Sequence, residues 1–209
     1  MYMIVVGAGG IGTALVEIAL RDKHNVAVIE RDSRKADAVS RKYDVLVLND
    51  DAASVDVLRE AGAERADALI ATTSYLKSVY PQIVGCVEAG VNVISTAEEL
   101  AYPWIKNPQL ASRIDGLAKG HGVTVLGTGV NPGFFFDTLP ITLTGLCREV
   151  RRIEGVRCVP TGRRRPSFQR KIGTGMLPEA FMEALKRGEI TGHVGLHESI
   201  ALTAAALGW

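Results

Sequence analysis

Short apolar runs alternate with stretches of helical periodicity through the first part of the chain. Each apolar run is about four residues long, which is typical of a buried strand in a parallel sheet. Between the first two runs, Ile11, Leu15 and Ile18 repeat at the spacing of one helix face. The pattern predicts six strands, at residues 3–6, 26–29, 45–48, 68–71, 91–94 and 123–126.

Segments of helical length separate these strands. After the helix that contains Ile11, we predict helices at residues 33–42, with Ser33 as N-cap, and at 55–61, 81–89 and 108–119. Strands that alternate with helices through short loops form right-handed crossovers and a parallel sheet. The pattern therefore predicts an α/β protein with a doubly wound, Rossmann-type sheet. We expect this dinucleotide-binding domain at residues 1–147 and an incomplete second domain at 148–209.

A glycine turn directly follows the first strand. It has the G-x-G-x-x-G spacing of a dinucleotide site, in the strand–turn–helix context that this pattern requires. The helix that it opens would offer N–H groups and the positive end of its dipole to a pyrophosphate. The alternative is a glycine-rich turn that binds nothing. The cofactor-binding residues predicted here are Gly7, Gly9, Gly10, Ile11 and Gly12.

An acidic residue, Glu30, ends the second strand, eighteen residues after the last glycine of the turn. A carboxylate at this position can accept hydrogen bonds from a ribose 2′-OH and would repel a 2′-phosphate, which favours NAD over NADP. Arg31 follows directly and can offset that repulsion, so NADP stays possible. Both residues are predicted to bind the cofactor. The alternative for Glu30 is a solvated carboxylate at the end of a strand.

Polar residues and glycines follow the later strands, at the edge where a nicotinamide and its substrate would meet. Threonines there can hydrogen-bond the nicotinamide ribose, and glycines let the backbone approach the carboxamide. Ordinary strand-end threonines and a plain Gly/Pro turn are the alternatives. The cofactor-binding residues predicted from these positions are Thr72, Thr73, Thr96, Gly129 and Asn131.

Two adjacent carboxylates, Glu98 and Glu99, lie just past the fifth strand. A carboxylate in the crevice can orient an ammonium, accept its proton and stabilise developing positive charge. If the turn is extended, one of the two points into the crevice and the other away from it. The alternative is a pair of acids that complements a helix dipole. We predict Glu98 as the catalytic residue.

Composition limits the other classes of function. The chain has 209 residues and a net charge of +1, which gives no indication of binding to nucleic acid or to a membrane. No apolar run is long enough to span a bilayer, and the first strand begins without a signal peptide. Three widely spaced cysteines, without metal-ligand spacing, fit a reducing cytoplasm and predict no disulfide framework and no metal site.

Up to about residue 73 the chain resembles the nucleotide-binding domain of potassium-transport regulators of the RCK/TrkA type. In that family, a Gly-Asp-Ala turn after the third strand lies beside the adenine. Asp51 and Ala52 match this turn, whereas Asp50 replaces its glycine. The resemblance therefore implies that Asp51 binds the cofactor. The segments that carry it are 7–12, 28–32, 43–47, 51–52, 57–62 and 66–70.

From residue 71 to 209 the chain resembles 2,4-diaminopentanoate dehydrogenase and related amine dehydrogenases. The resemblance implies NAD(P)-dependent oxidative deamination of a primary amine, reductive amination in reverse, Glu98 as the inward carboxylate, and a homo-oligomer. Such dehydrogenases continue past the position of Trp209, so the chain looks fused and C-terminally short. The matching segments are 71–77, 91–100, 102–104, 127–134, 137–140, 192–196, 198–199 and 206–209.

Two functions of different classes follow. The first is a cytoplasmic NAD-dependent oxidoreductase, with NADP possible, that acts on a small-molecule amine or its keto product. The second is an NAD(H)-binding regulatory module of the potassium-transport type, without turnover. Glu98 and the 127–133 turn favour the first, because a nucleotide sensor needs neither. A recombined chain that only binds nucleotide is a third possibility.

Overall fold

Six parallel strands form one sheet in the computed structural model, which describes residues 1–71, 75–164, 166–192 and 194–209. The strand order is β3-β2-β1-β4-β5-β6. The chain therefore builds outward from β1 to β3, returns to the other side of β1, and builds outward again to β6. The strands are β1 (Tyr2–Val6), β2 (Asn25–Ile29), β3 (Leu46–Leu48), β4 (Ala68–Ala71), β5 (Val93–Ser95) and β6 (Val125–Gly127).

Helices connect the strands and cover both faces of the sheet. Val5 and Val28, which are paired across β1 and β2, pack with Val16 and Val39 on one face. Ile4 belongs to a second cluster of buried residues, which packs on the opposite face of the sheet. The α-helices are α1 (Gly10–Arg21), α2 (Ser33–Lys42), α3 (Val55–Glu60), α4 (Leu76–Glu88), α5 (Pro108–His121), α6 (Thr138–Thr144), α7 (Pro166–Lys171), α8 (Pro178–Lys186) and α9 (Leu196–Leu207). Three 3₁₀ helices span Ala63–Arg65, Glu98–Ala101 and Thr161–Arg163.

This architecture confirms the predicted doubly wound α/β sheet. The order of strands reverses between β1 and β4, and in such sheets ligands bind outside the carboxyl ends of the strands at this point. The larger of the two cores lies on the α3–α4 face, where Leu58, Leu69, Leu76 and Ile83 are almost completely buried. The cores hold the crevice-forming loops on a rigid base.

Several boundaries differ from the prediction. The N-cap of α2 is Asp32, whose carboxylate accepts hydrogen bonds from the Arg34 and Lys35 N–H groups, so the prediction of Ser33 as cap was wrong. Helix α4 begins at Leu76, well before the predicted start at Pro81, which lies inside the helix. Strands β5 and β6 each begin two residues later than predicted.

Beyond β6 the chain forms helices α6 to α9, which irregular segments such as 148–160 join. Its α9 contacts both α6 and the 3₁₀ helix that follows β5. Ser199 of α9 donates a hydrogen bond of 2.7 Å to the buried carboxylate of Asp137, the N-cap of α6. A domain boundary after residue 147 stays a prediction.

Candidate functional site

The glycine turn between β1 and α1 has the close packing that the pattern predicts. Gly7 has a positive φ of 93°, and a Cβ on Gly12 would lie 1.8 Å from the Gly7 carbonyl oxygen. No side chain other than hydrogen fits at Gly12 without moving α1 away from β1. In contrast, a Cβ on Gly9 or Gly10 would meet no atom within 4 Å, so the space in front of the helix N-terminus is open. Ile11, which follows, is exposed.

Glu30 ties the glycine turn to the end of β2. Its Oε2 accepts a hydrogen bond of 2.5 Å from the Ala8 N–H, and its Oε1 accepts one of 2.8 Å from the Asp32 N–H. The side chain is buried, with 9% of the residue exposed. The alternative of a solvated strand-end carboxylate is therefore wrong. Each carboxylate oxygen can accept a second hydrogen bond, so the side chain keeps acceptor capacity for a ribose.

A cavity of about 420 Å³ lies at the carboxyl edge of the sheet, beside Glu30. Gly7 and Arg31 line it together with Asp51, and the wall opposite the sheet comes from α4. A guanidinium nitrogen of Arg31 lies 3.8 Å from a carboxylate oxygen of Asp51, and both side chains are exposed to solvent. The structure therefore brings together the glycine turn, Glu30, Arg31 and Asp51 at one cavity.

The predicted residues after β4 and β5 are placed only in part. Thr72 and Thr73 lie outside the residues that the structure describes. Thr96 directly follows β5, and its N–H donates a hydrogen bond of 3.0 Å to the Ala71 carbonyl at the end of β4. Thr96 thus lies at the carboxyl edge of the sheet, as the prediction requires.

The turn after β6 uses its glycines for packing within the protein. A Cβ on Gly127 would lie 2.2 Å from the Leu100 carbonyl oxygen, and one on Gly129 would lie 2.8 Å from that of Pro132. Gly133 has a φ of 112° and packs against the backbone of Gly129. Asn131 is half-buried in the same turn. Internal packing alone therefore accounts for these glycines.

Glu98 and Glu99 begin a 3₁₀ helix, so the turn after β5 is not extended and strand-like alternation does not decide which side chain points inward. The two carboxylates nevertheless have different partners. Glu99 Oε2 accepts a hydrogen bond of 3.0 Å from the Leu76 N–H at the start of α4. Glu99 thus complements a helix N-terminus, as the alternative reading expected, although the helix is a distant one. This long-range cap explains why α4 begins at Leu76.

Glu98 Oε2 instead lies 3.3 Å from Lys171 Nζ, which belongs to the last residue of α7. Only about a fifth of either side chain is exposed. The Lys171 carbonyl accepts a hydrogen bond from the Gly192 N–H, and nearby Gly195 packs close to the Glu98 Cβ. The C-terminal part of the chain thus builds one wall around Glu98.

Sequence reasoning missed Lys171, because 73 residues separate it from its partner. It also missed a second pair, in which Lys106 Nζ lies 2.9 Å from Oε1 of the completely buried Glu198. This contact is an ion pair without hydrogen-bond geometry, and Glu198 Oε2 has no hydrogen-bond partner among the described residues. The local signal was an acidic residue in the first turn of a C-terminal helix that is mostly apolar.

Two further properties of the described ranges bear on function. None of the helices in them combines the length and the hydropathy needed to cross a membrane. Within the same ranges, no three His, Cys, Asp or Glu side chains come together as a metal site would require.

Comparison with known proteins finds relatives for both the N-terminal and the C-terminal part of the chain. Residues 3–103 match the TrkA-N domain, and residues 134–209 match the C-terminal domain of 2,4-diaminopentanoate dehydrogenase. The chain is 37% identical to 2,4-diaminopentanoate dehydrogenase of Acetoanaerobium sticklandii over 99% of its own length. Both family resemblances are confirmed. One relative accounts for both parts, because the dehydrogenase similarity also extends over the N-terminal third.

Other relatives cover less of the chain or are more distant. A TrkA homologue of Archaeoglobus fulgidus is 41% identical over 35% of this chain and 16% of its own. The structure of an amine dehydrogenase from Mycobacterium smegmatis superposes over all of this chain and 62% of its own, with a TM-score of 0.75 and 22% identity, which shows a shared fold. The chain spans 60% of the length of the Acetoanaerobium sticklandii dehydrogenase.

Proposed function

We propose that the protein is an NAD(P)-dependent oxidoreductase that acts on a primary amine, in the manner of 2,4-diaminopentanoate dehydrogenase. The observation that carries the proposal is the position of Glu98. This partly buried carboxylate lies at the same sheet edge as the glycine turn and Glu30. A dinucleotide site and a shielded carboxylate at one edge are the two components that amine oxidation requires.

The residues at the edge fit a nicotinamide dinucleotide. The open space before Gly9 and Gly10 and the N-terminus of α1 suit its pyrophosphate, and the Glu30 carboxylate suits a ribose hydroxyl. The nicotinamide would accept the hydride from the amine carbon. We propose NAD as the preferred form, because a 2′-phosphate would approach the buried carboxylate of Glu30.

The chain's own residues would handle the protons. An alkylammonium has no lone pair to assist hydride loss, so the amine must first lose a proton, and the Glu98 carboxylate is the acceptor. Glu98 passes this proton on to solvent and regains its negative charge, which stabilises the iminium that loss of hydride leaves. Water adds to the iminium carbon as Glu98 accepts a proton from it. Collapse of this adduct releases the carbonyl product, and the nitrogen leaves as ammonium.

Lys171 has a defined part in this scheme. Without substrate, its ammonium lies against Glu98 and neutralises a carboxylate that is mostly shielded from water. A substrate ammonium would compete with Lys171 for the same oxygens. The substrate ammonium would therefore displace Lys171 from Glu98 before the carboxylate accepts its proton.

A nucleotide-binding module without turnover is the second candidate. The match of residues 3–103 to the TrkA-N domain favours it. Such a module would bind NADH through the same cavity but would have no use for Glu98.

Replacement of one carboxylate at a time separates the two candidates. The protein is mixed with NAD and 2,4-diaminopentanoate at mildly alkaline pH, and NADH formation is followed by absorbance beside a direct NADH titration. Glu98→Gln should abolish turnover and leave NADH affinity within a few-fold of the parent. Glu99→Gln is the matched control and should retain turnover, because an amide oxygen can still accept the hydrogen bond from Leu76. Turnover by Glu98→Gln at the parent rate would remove Glu98 from the mechanism, and NADH binding by a parent that turns over no amine would favour the module.

We also propose a cytoplasmic homo-oligomer. Exposed apolar side chains in the C-terminal part, such as Leu146 and Trp209, support self-association, and the free thiols of Cys147 and Cys158 suit a reducing compartment. Light scattering of the purified chain tests the oligomeric state, and a monomer at micromolar concentration would contradict it.

A further inference from the structure

The wall of the nucleotide cavity includes a polar side chain, Gln82, that none of the roles above explains. Gln82 lines its α4 wall, together with Ser78 and Pro81. Its Oε1 is shielded from water and accepts no hydrogen bond from any residue that the structure describes. Nearly all buried polar atoms in proteins have a hydrogen-bond partner, so an isolated amide oxygen beside a cavity calls for a ligand group as its donor.

The position of Gln82 indicates which part of a dinucleotide would supply that donor. With the pyrophosphate at α1 and the ribose at Glu30, the attached base extends away from β1, toward Ala52 and the α4 wall. Ala53 and Pro81 also line this part of the cavity and offer apolar surface for the faces of the ring. Gln82 remains to meet the edge of the base.

We propose that Gln82 recognises the 6-amino edge of adenine. A carboxamide presents an acceptor and a donor side by side, and adenine presents the complementary pair, its 6-amino group and the ring nitrogen N7. The Gln82 oxygen would accept from the amino group while its NH₂ donates to the ring nitrogen. The inference rests on the nucleotide-binding part of the proposed function and not on amine oxidation.

A base without the amino group should then bind less well. In hypoxanthine a carbonyl oxygen replaces the amino group. Gln82 can rotate its amide to donate to that oxygen, but its own oxygen then faces the lone pair of N7. One hydrogen bond is lost in either orientation, which corresponds to about tenfold weaker binding.

The test compares NADH with reduced nicotinamide hypoxanthine dinucleotide in direct fluorescence titrations. We expect the parent to bind NADH about tenfold more tightly than the analogue. Gln82→Leu should bind the two equally, with NADH affinity reduced to that of the analogue. Gln82→Glu retains the acceptor but loses the donor, so it should discriminate at least as strongly as the parent. Gln109→Leu, on the exposed start of α5, is the matched control and should behave as the parent does.

Each outcome bears on the proposal. Equal affinity of the parent for the two dinucleotides, or undiminished preference in Gln82→Leu, would overturn it. Absence of NADH binding would overturn it together with the nucleotide site. A protein that discriminates between the bases but oxidises no amine would contradict the dehydrogenase function and leave the assignment of Gln82 intact.

Discussion

Removal of Lys106 is the sharpest test of how the C-terminal helix is held. Glu198 of α9 is completely buried, and Lys106 Nζ lies 2.9 Å from its Oε1, with 38% of the lysine side chain exposed. Lys106→Met would keep the volume of the aliphatic stem but remove the cation. The carboxylate would then have no counter-charge within the described part of the chain, and neither of its oxygens accepts a hydrogen bond from a described residue.

The magnitude follows from the geometry. At 2.9 Å and an effective dielectric constant of about 20, the attraction between the two charges is about 6 kcal/mol. Partial exposure of Lys106 screens this attraction, and measured losses for one partner of a buried pair are about 3–5 kcal/mol. We expect Lys106→Met to lower the free energy of unfolding by about 3 kcal/mol, at the lower end of that range.

The assay is urea unfolding followed by circular dichroism. Lys119→Met is the matched control, because Lys119 pairs with Asp115 at 2.7 Å on the surface of α5 and should cost less than about 1 kcal/mol. Addition of Glu198→Gln to Lys106→Met should recover part of the loss, since the variant then buries no charge. Equal destabilisation by the two lysine variants would refute the reasoning.

Three further predictions concern the nucleotide site and the core. Gly12→Ala should destabilise the fold and abolish NADH binding, because its Cβ would overlap the Gly7 carbonyl, whereas Gly10→Ala should fold as the parent does; thermal melts of both variants decide this. Glu30→Gln should raise NADPH affinity relative to NADH by about tenfold in direct titrations, since like-charge contact with a 2′-phosphate is removed; a parent that binds both equally would contradict the role of Glu30. Burial shields the Cys86 thiol and raises its pKa to about 12, whereas Cys147 and Cys158 are exposed. At pH 8 we therefore expect only two thiols of the folded protein to react with a disulfide reagent, and rapid reaction of three would contradict this.

Patterns that span a few residues predicted most of the nucleotide-binding half. The apolar runs located every strand to within two residues, because buried parallel strands are apolar throughout and the runs are short. The glycine turn was equally readable, since its spacing reflects a contact between residues only five apart, Gly12 and the Gly7 carbonyl. The position of Glu30 directly after β2 was also predicted correctly, because the apolar run before it marks the strand.

Local sequence patterns did not predict the partners of the charged side chains. Two adjacent acids, Glu98 and Glu99, look alike in the sequence, yet one lies against Lys171 and the other caps α4. Strand-like alternation, which would have pointed one side chain in and one out, does not apply because the backbone there forms a 3₁₀ helix. Which carboxylate faces the C-terminal wall depends on where α7 and α4 lie.

The sequence by itself determined the strands, the glycine turn and the acid that follows β2, because each arises from contacts or periodicities within one βαβ unit. Only the tertiary structure decided the ion pairs of Lys171 with Glu98 and of Lys106 with Glu198. The position of Gln82 in the wall of the nucleotide cavity also depended on it. These contacts join segments that are far apart in the chain. Their geometry depends on how whole helices pack on the sheet, which no local spacing encodes.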